Sequence, residues 1–537
     1  MQVELVLLVL SLLFFASIFT DKIGYKFGVP ALLLFLAVGM LFGPDGIGAL
    51  FNENGVGYMI QTETAEALST IALCIILFSG GMDTKLTDIR PVMAPGVALA
   101  TIGVLITALV TGVIMYYVYG WLDRYIPLSL ALLMAATMSS TDSASVFSIL
   151  RTNGVGLKHN LRPLLELESG ANDPMAYVLT TTLIGVVVNI HSIVGLTQEV
   201  EVLPIIQTIV IQLVMGSVLG FGFGTGLVQL MRRVKLGNEA LYPIMVLTAC
   251  IFIFSVTYYL QGNTYLAVYV GGLIIGNNKF TRKRQTKSFF SGLTWLSQLV
   301  MFLMLGLMVK PAELIDYHVW LPCLIISIVM IFISRPLAVW LCMLPFKQYR
   351  SRDKLMLSWV GLKGAVPIIF AIMCKAEGVP FADLIFNVVF LCTLVSLLVQ
   401  GTTLTLVAKK LDLATPPAGQ RTLEHFDLDL PDEIQSSARE VEVSELMVEK
   451  GHTLRDIKIP PRTLIIMVRR GEDFFVPTGA SELQVGDQLL VISDKDAEAS
   501  YKQMTDAAEE EALWRADMRR RARNRFDRMF TWMKKKK

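Results

Sequence analysis

Residues Glu168–Ala176 read ESGANDPMA inside Leu164–Val188, a run otherwise apolar enough to cross a bilayer. One ionisable side chain at mid-membrane costs about 2.5–3.5 kcal/mol on insertion scales, so such residues mark ion paths or buried pairs. On a helix Ser169 and Asp173 are i,i+4 neighbours, as are Glu168 and Asn172. Glu166 and Asp173, seven apart, also share a face. Pro174 removes one backbone donor at the end of this polar stripe.

Three other apolar runs carry polar groups. Thr137, Ser139, Ser140, Thr141, Asp142, Ser143 and Ser145 crowd the middle of 128–150. Hydroxyls can serve backbone groups freed by unwinding, and carbonyl and hydroxyl oxygens are ligands that hard monovalent cations take. In 354–375, Gly361, Gly364 and Pro367 surround Lys363, which predicts a second interruption with a cation in it. Arg335 in 318–345 needs a carboxylate partner. Glu168 is the first candidate, with Glu166 and Asp142 as alternatives. The chemistry these residues allow is exchange. A membrane carboxylate must hold a proton or a cation, and competition for one site couples the two.

The elements that position these groups follow from composition. Of 537 residues 54% are hydrophobic and 17% charged, with mean hydropathy +0.57. Soluble domains carry about 25% charged residues. The chain reads as an all-α polytopic membrane protein, with spans near 3–20, 29–43, 63–81, 92–119, 128–150, 162–190, 203–231, 239–260, 263–278, 288–309, 318–345, 354–375 and 382–408. With the N-terminus outside, the cytoplasmic loops hold twenty-one Lys and Arg against three (Arg124, Lys310, Lys375) on the other side. That balance puts the C-terminus in the cytoplasm. The interrupted spans five and twelve are seven apart and so oppositely oriented, which points to inverted-topology repeats.

Six cysteines without CxxC spacing read as packing residues, and no histidine is mid-span, so metal-centred chemistry has no support. GFGFGTG (Gly220–Gly226) lies mid-span with no strand before it, which argues for close helix packing over phosphate binding.

After residue 410 the composition changes. Residues 411–433 read as a polar linker, and 434–497 as a small α/β domain with strands at Val441–Leu446, Thr463–Arg470, Phe474–Val476 and Gln488–Ile492. About sixty residues fold alone only marginally, so docking or dimerisation is expected. Residues 498–537 form a basic amphipathic pattern suited to an anionic lipid surface. Nothing points to nucleic acid.

STDSASV, ESGANDP, SRPL and GLKGAVP, in this order, resemble the cation/proton antiporter superfamily in its NhaP-like branch, over residues 5–410. The segment Val441–Ser493, ending in P-T-G and L-x-x-G-D, is similar to the TrkA-C (RCK_C) half of a potassium-conductance regulator. The pairing resembles potassium/proton antiporters of the cell volume regulation protein A type. The resemblance implies that Asp173 alternately holds H⁺ or a cation. Thr141, Ser169, Glu168, Asn172 and Asp142 would build the site, with Arg335, Lys363 and Glu166 compensating charge. It implies a homodimer in a bacterial inner membrane that serves pH and volume homeostasis, with K⁺ favoured over Na⁺ and no cofactor. Asn172-Asp173 implies electroneutral exchange, while Lys363 stands where the family often has arginine. No G-x-G-x-x-G precedes the soluble domain, so a nucleotide-type or other small ligand, or dimerisation alone, is its expected role. A gated K⁺ channel is the alternative class, against which stands the lack of a TVGYG-like filter.

Overall fold

The computed structural model describes residues 4, 8, 11–19, 31–46, 61–192, 202–234, 236–415, 438–443, 453–455, 463–471 and 473–493. Most of the expected linker and the basic tail lie outside these residues. The chain divides into two units, Met1–Pro417 and Ala418–Lys537.

The first unit is helical. Residues 11–19 belong to the first span. There follow α1 (Ala31–Leu41), α2 (Thr62–Asp83), α3 (Leu86–Trp121), α4 (Leu128–Thr137), α5 (Ser143–Thr152), α6 (Leu161–Ser192) and α7 (Val202–Arg233). Then come α8 (Leu241–Tyr259), α9 (Thr264–Gly276), α10 (Lys283–Met308), α11 (Tyr317–Cys342), α12 (Ser351–Trp359), α13 (Val366–Ala376) and α14 (Ala382–Lys410). Each of the thirteen expected spans therefore carries helix, with the fifth split into α4 and α5 and the twelfth into α12 and α13.

Both interruptions are chemically served. Thr137 and Ser139 hydroxyls donate to the carbonyls of Met134 (2.7 Å) and Ala136 (2.6 Å) where α4 ends. Gln400 Nε2 donates to the Trp359 carbonyl at 2.9 Å where α12 ends, and Ser396 Oγ accepts from Lys363 N at 2.9 Å. Buried backbone groups left unpaired would make such breaks untenable. Wider π-type turns occur at Leu99–Gly103 in α3, Met330–Ser334 in α11 and Leu397–Gly401 in α14. The spans formed by α3 and α11 are again seven apart, so the irregularities recur between the two halves.

The glycine run in α7 is a packing surface. A Cβ on Gly220 would lie 2.4 Å from the Ala267 carbonyl oxygen, and one on Gly224 would lie 3.1 Å from Gly271 Cα, both on α9. The six cysteines are buried and free.

Two short strands, β1 (Gly156–Leu157) and β2 (Ala414–Thr415), pair antiparallel, tying the chain leaving α14 to the loop that enters α6. The expected linker thus starts within the membrane unit.

The second unit holds an antiparallel sheet of β3 (Ala438–Glu442), β4 (Thr463–Arg470), β5 (Asp473–Phe475) and β6 (Gln488–Ser493), in the order β3-β6-β4-β5. The first strand begins three residues before the expected Val441 and ends at Glu442. Its register against β6 decides this: Val441 faces Leu489, and the pairing brings Val441 and Val443 into a cluster with Val468, Leu489 and Val491. Past Glu442 the backbone bonds a turn instead, through Val443 N to Asp487 O at 2.8 Å.

Candidate functional site

The polar stripe of α6 grips the unwound stretch between α4 and α5. Ser169 Oγ donates to the Thr141 carbonyl at 2.8 Å and accepts from Ser143 N at 3.0 Å. Asn172 Nδ2 donates to Thr141 Oγ1 at 2.5 Å, and the Ser140 hydroxyl donates to Asp173 Oδ1. Residues 169, 172 and 173 meet one target because three- and four-residue spacing stacks side chains on one helix face. Beyond Asp173, the Pro174 carbonyl accepts from Asn263 Nδ2 at 2.7 Å, while Asn263 Oδ1 caps α9 through Leu266 N at 2.9 Å.

The second interruption crosses the first. Asp142 N donates to the Leu362 carbonyl at 2.8 Å. Lys363 Nζ donates to the carbonyls of Ser140 (2.9 Å) and Ser139 (3.5 Å). The lysine occupies the place where a helix dipole would otherwise leave bare carbonyls, which is the favourable position for a cation.

Arg335 reaches Glu168 at 2.5 Å, with both side chains buried, and its Nη2 donates to the Leu357 carbonyl at 3.3 Å. The alternative partners are engaged elsewhere. Glu166 bonds Arg162 Nε at 2.9 Å, one turn before it on α6. Asp142 caps α5, accepting from Ser145 N at 3.1 Å and from the Ser145 hydroxyl. Glu166 and Asp142, the alternatives for Arg335, thus take local partners three or four residues away instead. Sequence reading left Ser140 and Asn263 out of the site. Ser140 stood in the hydroxyl-rich run without distinction, and Asn263 carried no signal, being a loop asparagine 90 residues from Asp173 in the chain.

A cavity of about 610 Å³ leads to these groups, with Asp173, Ser169 and Asp142 in its wall and Asp83, Asn153 and Arg162 at the other end. Asp83 ends α2 and Arg162 begins α6, so the cavity reaches the membrane face of those termini. One turn past Asp173, Tyr177 packs edge-on against Tyr265 (centroids 4.7 Å apart) and beside Phe370 (6.1 Å). The donor set is oxygen throughout: a carboxylate, hydroxyls, a carbonyl, and Asn172 Oδ1, buried without a hydrogen-bond partner among the described residues. That set fits a dehydrated monovalent cation in place of, or beside, a proton.

The family model described as sodium/hydrogen exchanger, transmembrane, matches residues 8–410, and the TrkA-C domain matches 449–504. A protein of Shewanella sp. strain ANA-3 named K⁺/H⁺ antiporter NhaP2 is 38% identical over 93% of this chain and 83% of its own. One from Alkalimonas amylolytica, named K⁺/H⁺ antiporter NhaP, is 38% identical over 91% and 78%. Among solved structures, the sodium proton antiporter MjNhaP1 from Methanocaldococcus jannaschii superposes with a TM-score of 0.62 at 22% identity, covering 76% of this chain and 99% of that one, a likeness of fold. With the model spanning most of its length and relatives matched nearly end to end, the chain belongs to the sodium/hydrogen exchanger family and is a transmembrane antiporter.

Proposed function

We propose that the chain exchanges K⁺ for H⁺ at Asp173, one for one and without net charge movement. The observation that carries this reading is the position of Asp173: it lies in the wall of a cavity that reaches the crossing, bonded to the stretch that also offers Thr141 and Ser140 oxygens. A proton on the carboxyl and a cation on the carboxylate exclude each other there. The relatives named K⁺/H⁺ antiporters favour K⁺, and a relative from Halobacillus aidingensis named Na⁺/H⁺ antiporter NhaH, 27% identical over 72% of this chain, supplies the alternative of Na⁺.

Thr141, Ser169 and Asn172 hold the site's shape and lend oxygens; Glu168 and Arg335 neutralise each other beside it; Lys363 anchors the carbonyls of the crossing. Asp142 is a wall residue and helix cap close to the cation's path, and Glu166 with Arg162 lines its entrance. Movement of the unit built from spans 5, 6, 12 and 13 against its surroundings would carry Asp173 from one side to the other. Loop charge favours a cytoplasmic cavity mouth with the N-terminus outside, and the bacterial relatives favour an inner membrane. A homodimer, regulation by the TrkA-C unit and a nucleotide-type ligand there belong to the same reading.

The test is exchange in proteoliposomes with K⁺, Na⁺, Li⁺ and Rb⁺ across pH, with and without an imposed voltage. K⁺-dependent dissipation of a pH gradient, indifferent to voltage and abolished by Asp173→Asn, is expected. Exchange retained in Asp173→Asn removes the carboxylate from its role.

A further inference from the structure

A second cavity lies outside the ion path, enclosed by α3, α11, α14 and the α12–α13 break. Its volume is about 10 Å³, and its lining includes Thr107, Ser327, Arg335, Lys363, Ser396 and Gln400. A volume of about 10–15 Å³ is what one water needs, provided two to four polar partners surround it. A dry void of this size in a core is expected to be apolar; this one has two cationic side chains, three hydroxyls and an amide in its wall beside Met330, Ile331 and Cys392.

Arg335 is buried, its Nη2 serves Leu357 and Glu168, yet Nε has no hydrogen-bond partner among the described residues. A guanidinium N–H left bare in a membrane protein core is costly. The arginine side chain passes close to Gly361, another lining residue: a Cβ there would lie 3.0 Å from Arg335 Cγ, 3.1 Å from Nε and 3.2 Å from Cδ. Glycine at this position lets the arginine side chain pack close against the backbone of the break.

The acceptors are present as well. Gln400 Oε1 takes one bond from Ser396 Oγ at 2.6 Å and keeps a second lone pair. Thr107 Oγ1 gives its hydrogen to the Gly103 carbonyl at 2.7 Å, which leaves its oxygen free to accept. Lys363 has three hydrogens and two carbonyl partners.

We propose that this cavity is a site for a single structural water. It accepts from Arg335 Nε and Lys363 Nζ and donates to neutral oxygens of the Thr107, Ser327 and Gln400 set. The water would turn its oxygen toward two neighbouring cationic side chains. It would also join α3 to the three spans of the second half. The inference does not depend on which cation is exchanged, since it concerns residues behind the crossing.

Two measurements on the full chain in lipid nanodiscs test it. In a map sharp enough to show other buried waters, a peak is expected within hydrogen-bond distance of Arg335 Nε and of at least one of those oxygens. An empty cavity in such a map overturns the proposal, and so does a peak too strong for water. X-ray radiolysis gives the second readout, because hydroxyl radicals form in place from bound water. Met330 and Cys392 line the cavity, and both are buried. They should be oxidised at least several-fold faster than buried Cys374, which does not line it; equal rates count against a water. Gly361→Ala, whose methyl crowds the Arg335 side chain at the cavity wall, should abolish the excess labelling. Excess labelling that survives in a folded Gly361→Ala overturns the placement beside Nε.

Discussion

The backbone N–H of Asp142 donates to the carbonyl oxygen of Leu362 at 2.8 Å, so the two interrupted spans are joined chain to chain at their crossing. Gly364 makes the approach feasible. A Cβ there would lie 2.3 Å from Asp142 Oδ2 and 2.7 Å from its Cβ. Gly364→Ala must push Asp142 away, and with it Ser140 and Thr141. A displacement near 1 Å can cost about a hundredfold in rate. The initial rate of K⁺-driven pH-gradient dissipation should fall by about that factor at equal protein density in liposomes. A rate like that of the unaltered chain would mean the crossing does not set the site.

Glu168 and Arg335 predict an asymmetry. Removing one partner of a buried pair costs about 3–5 kcal/mol because a charge is stranded. Glu168→Gln strands Arg335 and leaves its neighbour Lys363 only Asp173 for a nearby carboxylate, whereas Arg335→Gln leaves Lys363 within electrostatic reach of Glu168. Thermal unfolding in detergent should therefore show the larger loss for Glu168→Gln, at the upper end of that range. Equal losses would show that Lys363 does not share the carboxylate.

The buried polar cluster was legible in the sequence where intrinsic cost made it so. Acids, an arginine and a lysine in apolar runs have few reasons to exist, and glycine, proline and hydroxyl clusters announce where a helix yields. Glu168 as partner to Arg335 followed from the same scarcity, because few buried carboxylates were available. Ser140 and Asn263 did not follow. Neutral hydrogen-bonding groups carry no comparable penalty, and their roles depend on which carbonyl or carboxylate tertiary packing brings near. The β3 strand was misplaced by three residues for a related reason: its register is fixed by Leu489 on a strand fifty residues away, while Glu440 and Glu442 dilute its local pattern.

Acid should loosen the second unit. Asp487 is held below the ordinary aspartate range: burial would raise it, but the two hydrogen bonds from Arg470 (2.9 and 2.8 Å) and one from Gln484 N outweigh that. A carboxylate depressed in the fold adds stability above its unfolded value, about 3.9, and that contribution is lost as pH falls through the lower folded value. Limited proteolysis of the full chain with an acid-active protease should cut within 463–493 increasingly below pH about 4. Arg470→Met should move the onset of cutting to higher pH. An unchanged onset in Arg470→Met would show that the arginine does not hold the carboxylate ionised.

The pairing of β1 with β2 decides where a truncation may be made. Leu413 is buried at 2% exposure, a burial worth about 1.5–3 kcal/mol for such a side chain. Its carbonyl accepts from Lys158 N at 3.1 Å, and Asp412 lies 3.5 Å from Lys158 Nζ and 3.8 Å from Arg352. These ion pairs are exposed and add little; the strand and the buried leucine carry the joint. Lys158 opens the short segment that enters α6, the helix of Asp173, so the joint braces the site-bearing helix. A chain ending at Pro417 should keep exchange, with a changed pH profile or maximal rate if the TrkA-C unit is regulatory. A chain ending at Leu411 should lose thermal stability by about 2 kcal/mol or more and transport more slowly. Identical rates and midpoints for the two truncations would show that residues 412–415 do not brace α6.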